Sequence, residues 1–333
     1  IFNAISFFLN FDFLNAIKYI LGNSVFYFLT FLCVYRVSYL YPIRNLLAPF
    51  ILCSVIIVII SLGILSGYKP SFYLSSEEGL QSYLLDSENK KGIIGFSGPY
   101  INQNQFSIIM FISSALFLGI LNNTKSTKLY KKYFIIIFLF ISIFLTIITV
   151  SRASILAIAI VIVIMSLKNY KDKKSFLLLG FFMFFIFSMF VYFDNVVSRL
   201  IERVSSDGSS SRTDIWLNAL NIFKENYLFG VGSYSYNVGG ASLSAHNVYI
   251  QQLVSGGILA FIFWFGLILY FIKISVFNIL TKKFNKQNNK NLFLSILFIA
   301  ILIHQLFEAT IISAFHPMTL LMFIIMFTLT RKL

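Results

Sequence analysis

The chain is 333 residues long, 58% apolar and only 11% charged, with forty phenylalanines and a formal net charge of +14. Soluble globules carry about a quarter charged residues, so this composition excludes one; continuous apolar runs near 20 residues also favour membrane helices over barrel strands, which alternate over about ten. Nor is the positive surplus a nucleic-acid surface. Fifteen basic residues fall in four clusters (Lys125 to Lys132, Lys168 to Lys174, Lys273 to Lys290, and Arg331 with Lys332) with one acid, Asp172, among them. They recur after every second apolar run, as the positive-inside rule expects of cytoplasmic loops.

In chain order, residues 1–20 are apolar but interrupted by Asn3, Asn10, Asp12, Asn15 and Lys18, and read as one imperfect span or the tail of one. The chain begins at Ile1 without an initiator methionine or a signal-peptide pattern, so preceding residues, with further spans among them, are expected. Clearer spans follow at 24–41, 46–66, 101–121, 133–150, 153–167, 176–194, 247–272, 292–312 and 317–330, nine in all or ten with the first. Alternation from the lysine-rich loops puts 67–100, Ser151-Arg152 and 194–246 outside and the C-terminus inside. The two long outer loops, 67–100 and 194–247, hold seven basic against nine acidic residues, in keeping with that side. Cys33 and Cys53 both fall inside apolar runs and read as packing residues rather than a disulfide or a metal site. The expected fold is an all-α polytopic membrane protein, a single transmembrane domain over 1–333 with an extracytoplasmic loop at 195–246.

The polar stretch from Ser205 to Gly257 is where chemistry should lie. Ile215, Trp216, Ala219, Leu220 and Phe223 recur at helical spacing opposite Asp214, Asn218, Asn221 and Glu225, which predicts an amphipathic helix of about three turns on the outer membrane surface. Ser211 with Asp214 resembles a capping box that starts the helix near Arg212. Gly230 and Gly232 end the segment in a turn.

Several charges make little structural sense. Arg152 after Ser151, and Arg212 after Ser211, each put a cation in the first turn of an outward helix N-terminus, where the dipole favours anions by up to about 1 kcal/mol. Either the arginine snorkels to lipid headgroups, or it converges with backbone N–H groups on an anion such as a diphosphate. Ser198-Arg199, past the end of a span, reads as an interfacial anchor. His246, in SAHN before the span at 247, is either a polar anchor or an acceptor of a hydroxyl proton, since the positive dipole end disfavours imidazolium. His304 and Glu308 are four apart on a span that runs outward, so they are expected to share one face in its outer half; they line an outer cavity or pair with each other. His316 reads as a loop residue. No metal-ligand, P-loop or dinucleotide spacing is present, so no metal or cofactor is implied, and any external reaction would use a substrate already activated.

Four segments together resemble the O-antigen polymerase and O-antigen ligase family of bacterial envelope proteins: Ser151-Arg152 opening a span, the R-x3-W of Arg212 and Trp216, the turn FGVGSYSY at 229–236, and AHN followed by Gly257. The turn from Phe96 to Phe106 resembles the family's asparagine-bearing entry into a span. The resemblance implies a glycosyltransferase C-like helical bundle and metal-independent, inverting glycosyl transfer on the outer face of the cell membrane, with undecaprenyl-diphosphate-linked glycans as donor and acceptor. Arg152 and Arg212 would hold the diphosphate, and His246 would orient or deprotonate the acceptor hydroxyl. Asn247, Tyr249, Tyr234, His304 and Glu308 would contact substrate, and among the aromatic and polar residues of the outer loops Tyr100, Tyr236, Asn102 and Gln105 are candidate sugar contacts. A chain-length regulator protein is an expected partner; nucleic acid is not. Where the ligase pattern continues to a Thr-Gly pair, this chain has Phe261-Ile262, which favours a polymerase of O-antigen or capsule repeat units over a ligase acting on lipid A-core. A lipid-linked oligosaccharide flippase is the reading from another class, and the absence of paired, glycine-broken spans counts against it. A non-catalytic subunit of an assembly complex is a third.

Overall fold

The computed structural model describes residues 26–67, 96–100, 102–123, 129–168, 180, 210–232, 245–281, 289–311 and 316–331. All but residue 180 of the expected span at 176–194, the Ser198-Arg199 pair, Tyr234, Tyr236 and most of the two outer loops lie outside these residues. Among the described residues all extended regular structure is helical: α1 Phe26–Leu40, α2 Ile43–Leu65, α3 Gln103–Asn123, α4 Leu129–Ile148, α5 Arg152–Lys168, α6 Ser210–Glu225, α7 Val248–Thr281, α8 Asn289–His304 and α9 Pro317–Thr330. Four of them (α2, α3, α4, α7) are long and apolar enough to cross a bilayer, and α1, α8 and α9 are shorter apolar helices. Phe263 and Leu280 on α7 are 68% and 72% exposed, tolerable only where the surroundings are lipid. The protein is an all-α polytopic membrane protein.

Two helices depart from the apolar runs that predicted them. α7 continues through Lys273 to Thr281, and it is broken at Gly257, whose φ of 67° and ψ of −176° are not helical. α8 ends at His304 instead of running on to 312.

The chain forms two compact units. One comprises 44–206 and 282–300, and in it α3 packs along α4 and against α5. Phe106, Phe111 and Phe117 of α3 are fully buried. Hydroxyl pairs tie α3 to its neighbours: Ser107 to Ser154 of α5 at 2.8 Å, and Ser113 to Ser54 of α2 at 2.7 Å. Such pairs add on the order of 0.6 kcal/mol each between membrane helices. Asn102 caps α3 by accepting from Asn104 N at 2.7 Å. The preceding turn folds back on the helix, with Gly98 at φ 55° beneath the Phe106 ring, where a Cβ would collide. Phe96 N then donates to the Ile148 carbonyl at the end of α4.

The other unit comprises 1–43, 207–281 and 301–333. In it α1 packs on α9, with Phe31 edge-on to Phe323 and Phe327. Arg331 donates to the carbonyls of Ser38 and Tyr41 at 3.2 and 3.4 Å, a cation at the negative end of α1. The C-terminal ends of α1 and α9 therefore lie on one side, as alternation of the spans requires.

α6 packs on the first half of α7, Ala219 and Val254 being buried between Ile222, Phe223, Val231 and Ile250. Below them the break at Gly257 interrupts the helical ladder, and unsatisfied backbone groups at membrane depth cost several kcal/mol each. The turn after α6 supplies the partners. Val231 N and Gly232 N donate to the carbonyls of Val254 and Ser255, each at 2.9 Å, while Ile258 N and Leu259 N donate to those of Tyr227 and Leu228 at 2.8 and 3.4 Å. So close an approach requires glycine: a Cβ on Gly230 would strike the Val254 carbonyl and one on Gly257 the Leu228 carbonyl.

Candidate active site

Three short stretches of the second unit meet around one carboxylate. The first is the start of α6. The helix begins at Ser210, one or two residues before the expected start, and keeps Arg212 in its first turn with Trp216 one turn further along the same face. Trp216 Nε1 donates to the Ala245 carbonyl at 2.8 Å, and Arg212 Nη1 donates to the Phe307 carbonyl at 3.3 Å. The R-x3-W spacing thus lets one helical face grip the two other stretches.

The second is Ala245-His246-Asn247 at the head of α7. His246 has φ 46°, a left-handed conformation that histidine adopts more readily than most residues but only when its surroundings hold it. Here they do. Ala245 N donates to Gln251 Oε1 at 3.0 Å, Asn247 Oδ1 caps α7 by accepting from Tyr249 N and Ile250 N at 2.9 and 3.2 Å, and Val248 N donates to the Gln305 carbonyl at 3.0 Å. The Tyr249 hydroxyl donates to the Leu302 carbonyl at 3.1 Å, its ring lying against Trp264 and Phe265.

The third is the turn that follows α8. Because the helix stops at His304, Glu308 does not share a helical face with it, contrary to the i, i+4 expectation. His304 is completely buried, with Gln305 Nε2 3.2 Å from its Nδ1. Gln305 folds the turn by accepting from Thr310 N and Ile311 N on Oε1 and donating to Thr310 Oγ1. That fold brings Glu308 under the other two stretches. One oxygen lies 4.0 Å from Arg212 Nη2 and the other 3.5 Å from His246 Nδ1. The Glu308 side chain is 10% exposed, whereas those of Arg212 and His246 are 31% and 42% exposed: the carboxylate forms the floor, and the guanidinium and imidazole reach outward from it.

Arg152 belongs to the other unit. It is exposed as the first residue of α5, after a turn in which Ser151 occupies the N-cap position, its carbonyl accepting from Ile155 N at 3.1 Å. Ser151 N donates to Thr149 Oγ1. Val150 just before it has φ 57°, a costly conformation for a β-branched residue and one that tends to occur at functional turns. His316, expected as a loop residue, is the N-cap of α9: its Nδ1 accepts from Met318 N at 3.2 Å. Among the described residues no three His, Cys, Asp or Glu side chains gather so as to hold a metal ion.

Fold and site together define a multi-pass membrane protein whose cation, imidazole and carboxylate gather where helices begin and end. Residues 137–265, less than half of the chain, match the family model described as O-Antigen ligase, the family whose motifs the sequence resembles. The matched segment runs from α4 into α7 and includes Arg152, Arg212, Trp216, His246 and Gly257. No match to the chain was found among curated proteins or among solved structures.

Proposed function

We propose that the protein is a polymerase that joins lipid-diphosphate-linked oligosaccharide repeat units into an O-antigen or capsular polysaccharide on the outer face of the bacterial inner membrane. The observation that carries this reading is the meeting of Arg212 and His246 over one buried carboxylate, an anion-binding group beside a proton acceptor. In the reaction the acceptor hydroxyl oxygen attacks the anomeric carbon from the side opposite the diphosphate. The bond from that carbon to the phosphate oxygen breaks with inversion, and undecaprenyl diphosphate leaves with the electron pair. His246 takes the hydroxyl proton, and Arg212 stabilises the charge growing on the leaving diphosphate. Arg152 is assigned to the same diphosphate on its motif alone. Asn247 and Tyr249 act beneath His246 as cap and anchor, with any sugar contact made by the groups they leave exposed.

Polymerase is preferred to ligase because Phe261-Ile262 replaces the Thr-Gly pair of the ligase pattern; Phe261 stacks on Phe265 at 5.3 Å. The ligase reading is favoured by the description of the matched family. For a flippase, the break in α7 is the relevant feature, but the Val254 and Ser255 carbonyls there accept from Val231 N and Gly232 N of the turn after α6.

The test is to give purified protein in detergent a lipid-diphosphate-linked repeat unit from the source strain, without metal or nucleotide, and to follow products on a gel. Wild type should build a ladder, and Arg152→Ala, Arg212→Ala and His246→Ala, each folded by thermal melting, should lose it by about 10²-fold or more. Transfer only to a lipid A-core acceptor would make the protein a ligase. Full activity in the variants would leave the three residues as interfacial anchors.

A further inference from the structure

We infer that Glu308 is a positioning residue that sets the working tautomer of His246 and the resting pose of Arg212. The role rests on three observations. Glu308 is the most buried of the three and is held by a turn whose backbone is fixed through Gln305, so it is the reference to which the others adjust. Its two oxygens are divided between the two partners, 3.5 Å to His246 Nδ1 and 4.0 Å to Arg212 Nη2. The His246 backbone is fixed on the opposite side by the Ala245, Asn247 and Val248 hydrogen bonds, so the remaining freedom is the ring's torsion and its proton.

A carboxylate can only accept, so the ring nitrogen facing it must carry the hydrogen. Nδ1–H toward Glu308 Oε2 leaves the lone pair on Nε2, the nitrogen that would accept the hydroxyl proton. When that proton arrives, the adjacent carboxylate stabilises the imidazolium without itself being protonated, the division of labour known from serine hydrolase triads. The other oxygen gives Arg212 a counter-charge in the absence of substrate. At 4.0 Å that contact is loose enough for the guanidinium to turn to a diphosphate without leaving a buried charge behind, since Glu308 keeps His246.

The kinetic half of this inference rests on the glycosyl-transfer reading; the spectroscopic half does not. Protein labelled with 15N-histidine is examined in nanodiscs at pH 8 by two-bond nitrogen–proton correlation, the His246 signals being identified by their loss in His246→Gln. Wild type should show Nδ1 protonated and Nε2 bare, and the near-isosteric Glu308→Gln, whose amide can either donate or accept, should show a mixture of tautomers. With lipid-linked repeat units, Glu308→Gln should lose kcat by about 30-fold or more, within the range a positioned base contributes, while KM for the donor moves less than about twofold. Glu308→Asp should recover part of the loss. An Nε2–H tautomer in the wild type, an unchanged His246 spectrum in Glu308→Gln, or a loss confined to KM would each overturn the assignment. A wild type that transfers sugar to no acceptor, yet shows the tautomer change, would end the transferase reading while upholding the positioning role.

Discussion

His316 shows how a residue that lies outside the helices can still have a defined physical role. In the chain it is a histidine before a proline, with nothing to separate a loop from a cap; in the fold its Nδ1 accepts the Met318 N–H and so satisfies one of the orphan donors of α9. Burial pushes its imidazole down to about 4 from its ordinary 6.5. Between those values an unfolded chain binds a proton that the folded one does not, so stability rises with pH through that window and is fully present above it. Protonation would also remove the accepting lone pair and put a cation at a helix N-terminus. We expect the melting temperature in detergent to fall as the pH is lowered from about 6.5 toward 4, and His316→Asn, which caps without titrating near those values, to flatten that dependence. An equal fall in the variant would assign it to other groups. Arg152, Arg212 and His246 stand out in the sequence as single residues because each is an ionisable group where membrane sequence seldom tolerates one. Glu308 stands out in the same way, but its pairing with them does not: it is far along the chain from both Arg212 and His246, and no local pattern encodes such a contact. Trp216, Gln251 and Gln305 act through single hydrogen bonds to backbone, which hydropathy does not register.

At the scale of elements, the positions of the spans could be read from apolar runs because every backbone group in a bilayer must be paired within its helix. The same reasoning fails where pairing comes from elsewhere in the chain. The break in α7 leaves the run of apolar residues unaltered, and a glycine within a helical pattern is usually tolerated; only the turn at 227–232 distinguishes Gly257 from Gly266. Lys273 likewise marks no helix end, as one long side chain can carry its charge away from the apolar face. Gly257 and Gly230 have φ of 67° and 69° with a carbonyl where a Cβ would stand, whereas nothing lies within 4 Å of a Cβ at Gly266. Gly257→Ala and Gly230→Ala should therefore each cost at least about 1–3 kcal/mol in strain alone, read as a clear drop in melting temperature and loss of monodisperse protein. Gly266→Ala in the same helix should be neutral or stabilising by up to about 1 kcal/mol. A tolerated Gly257→Ala would mean that the turn does not complete the broken helix.

For the whole molecule the question is which side of the membrane the machinery faces, and the two units offer separate arguments. In one, the head of α7 and the tail of α8 lie together, Val248 N meeting the Gln305 carbonyl, while the C-terminal ends of α1 and α9 are tied through Arg331. In the other, the entry to α3 is tied to the end of α4 through Phe96 and Ile148. Each pairing joins helix ends that alternation assigns to a common side, although the positive-inside rule that started the alternation makes no use of contacts. Within the first of these units, His246 at the head of α7 stands at the opposite end of that helix from Lys273, as the alternation expects. In a background of Cys33→Ser and Cys53→Ser, single cysteines replacing Glu225 at the exposed end of α6 and Lys290 at the exposed start of α8 report the two sides directly. With a membrane-impermeant thiol reagent on spheroplasts, Glu225→Cys should label at once and Lys290→Cys only after the membrane is opened. The reverse order would put the carboxylate, histidine and arginine in the cytoplasm and remove the basis for an outer-face polymerase; labelling of both at once would mean that the chain between them crosses the membrane an even number of times.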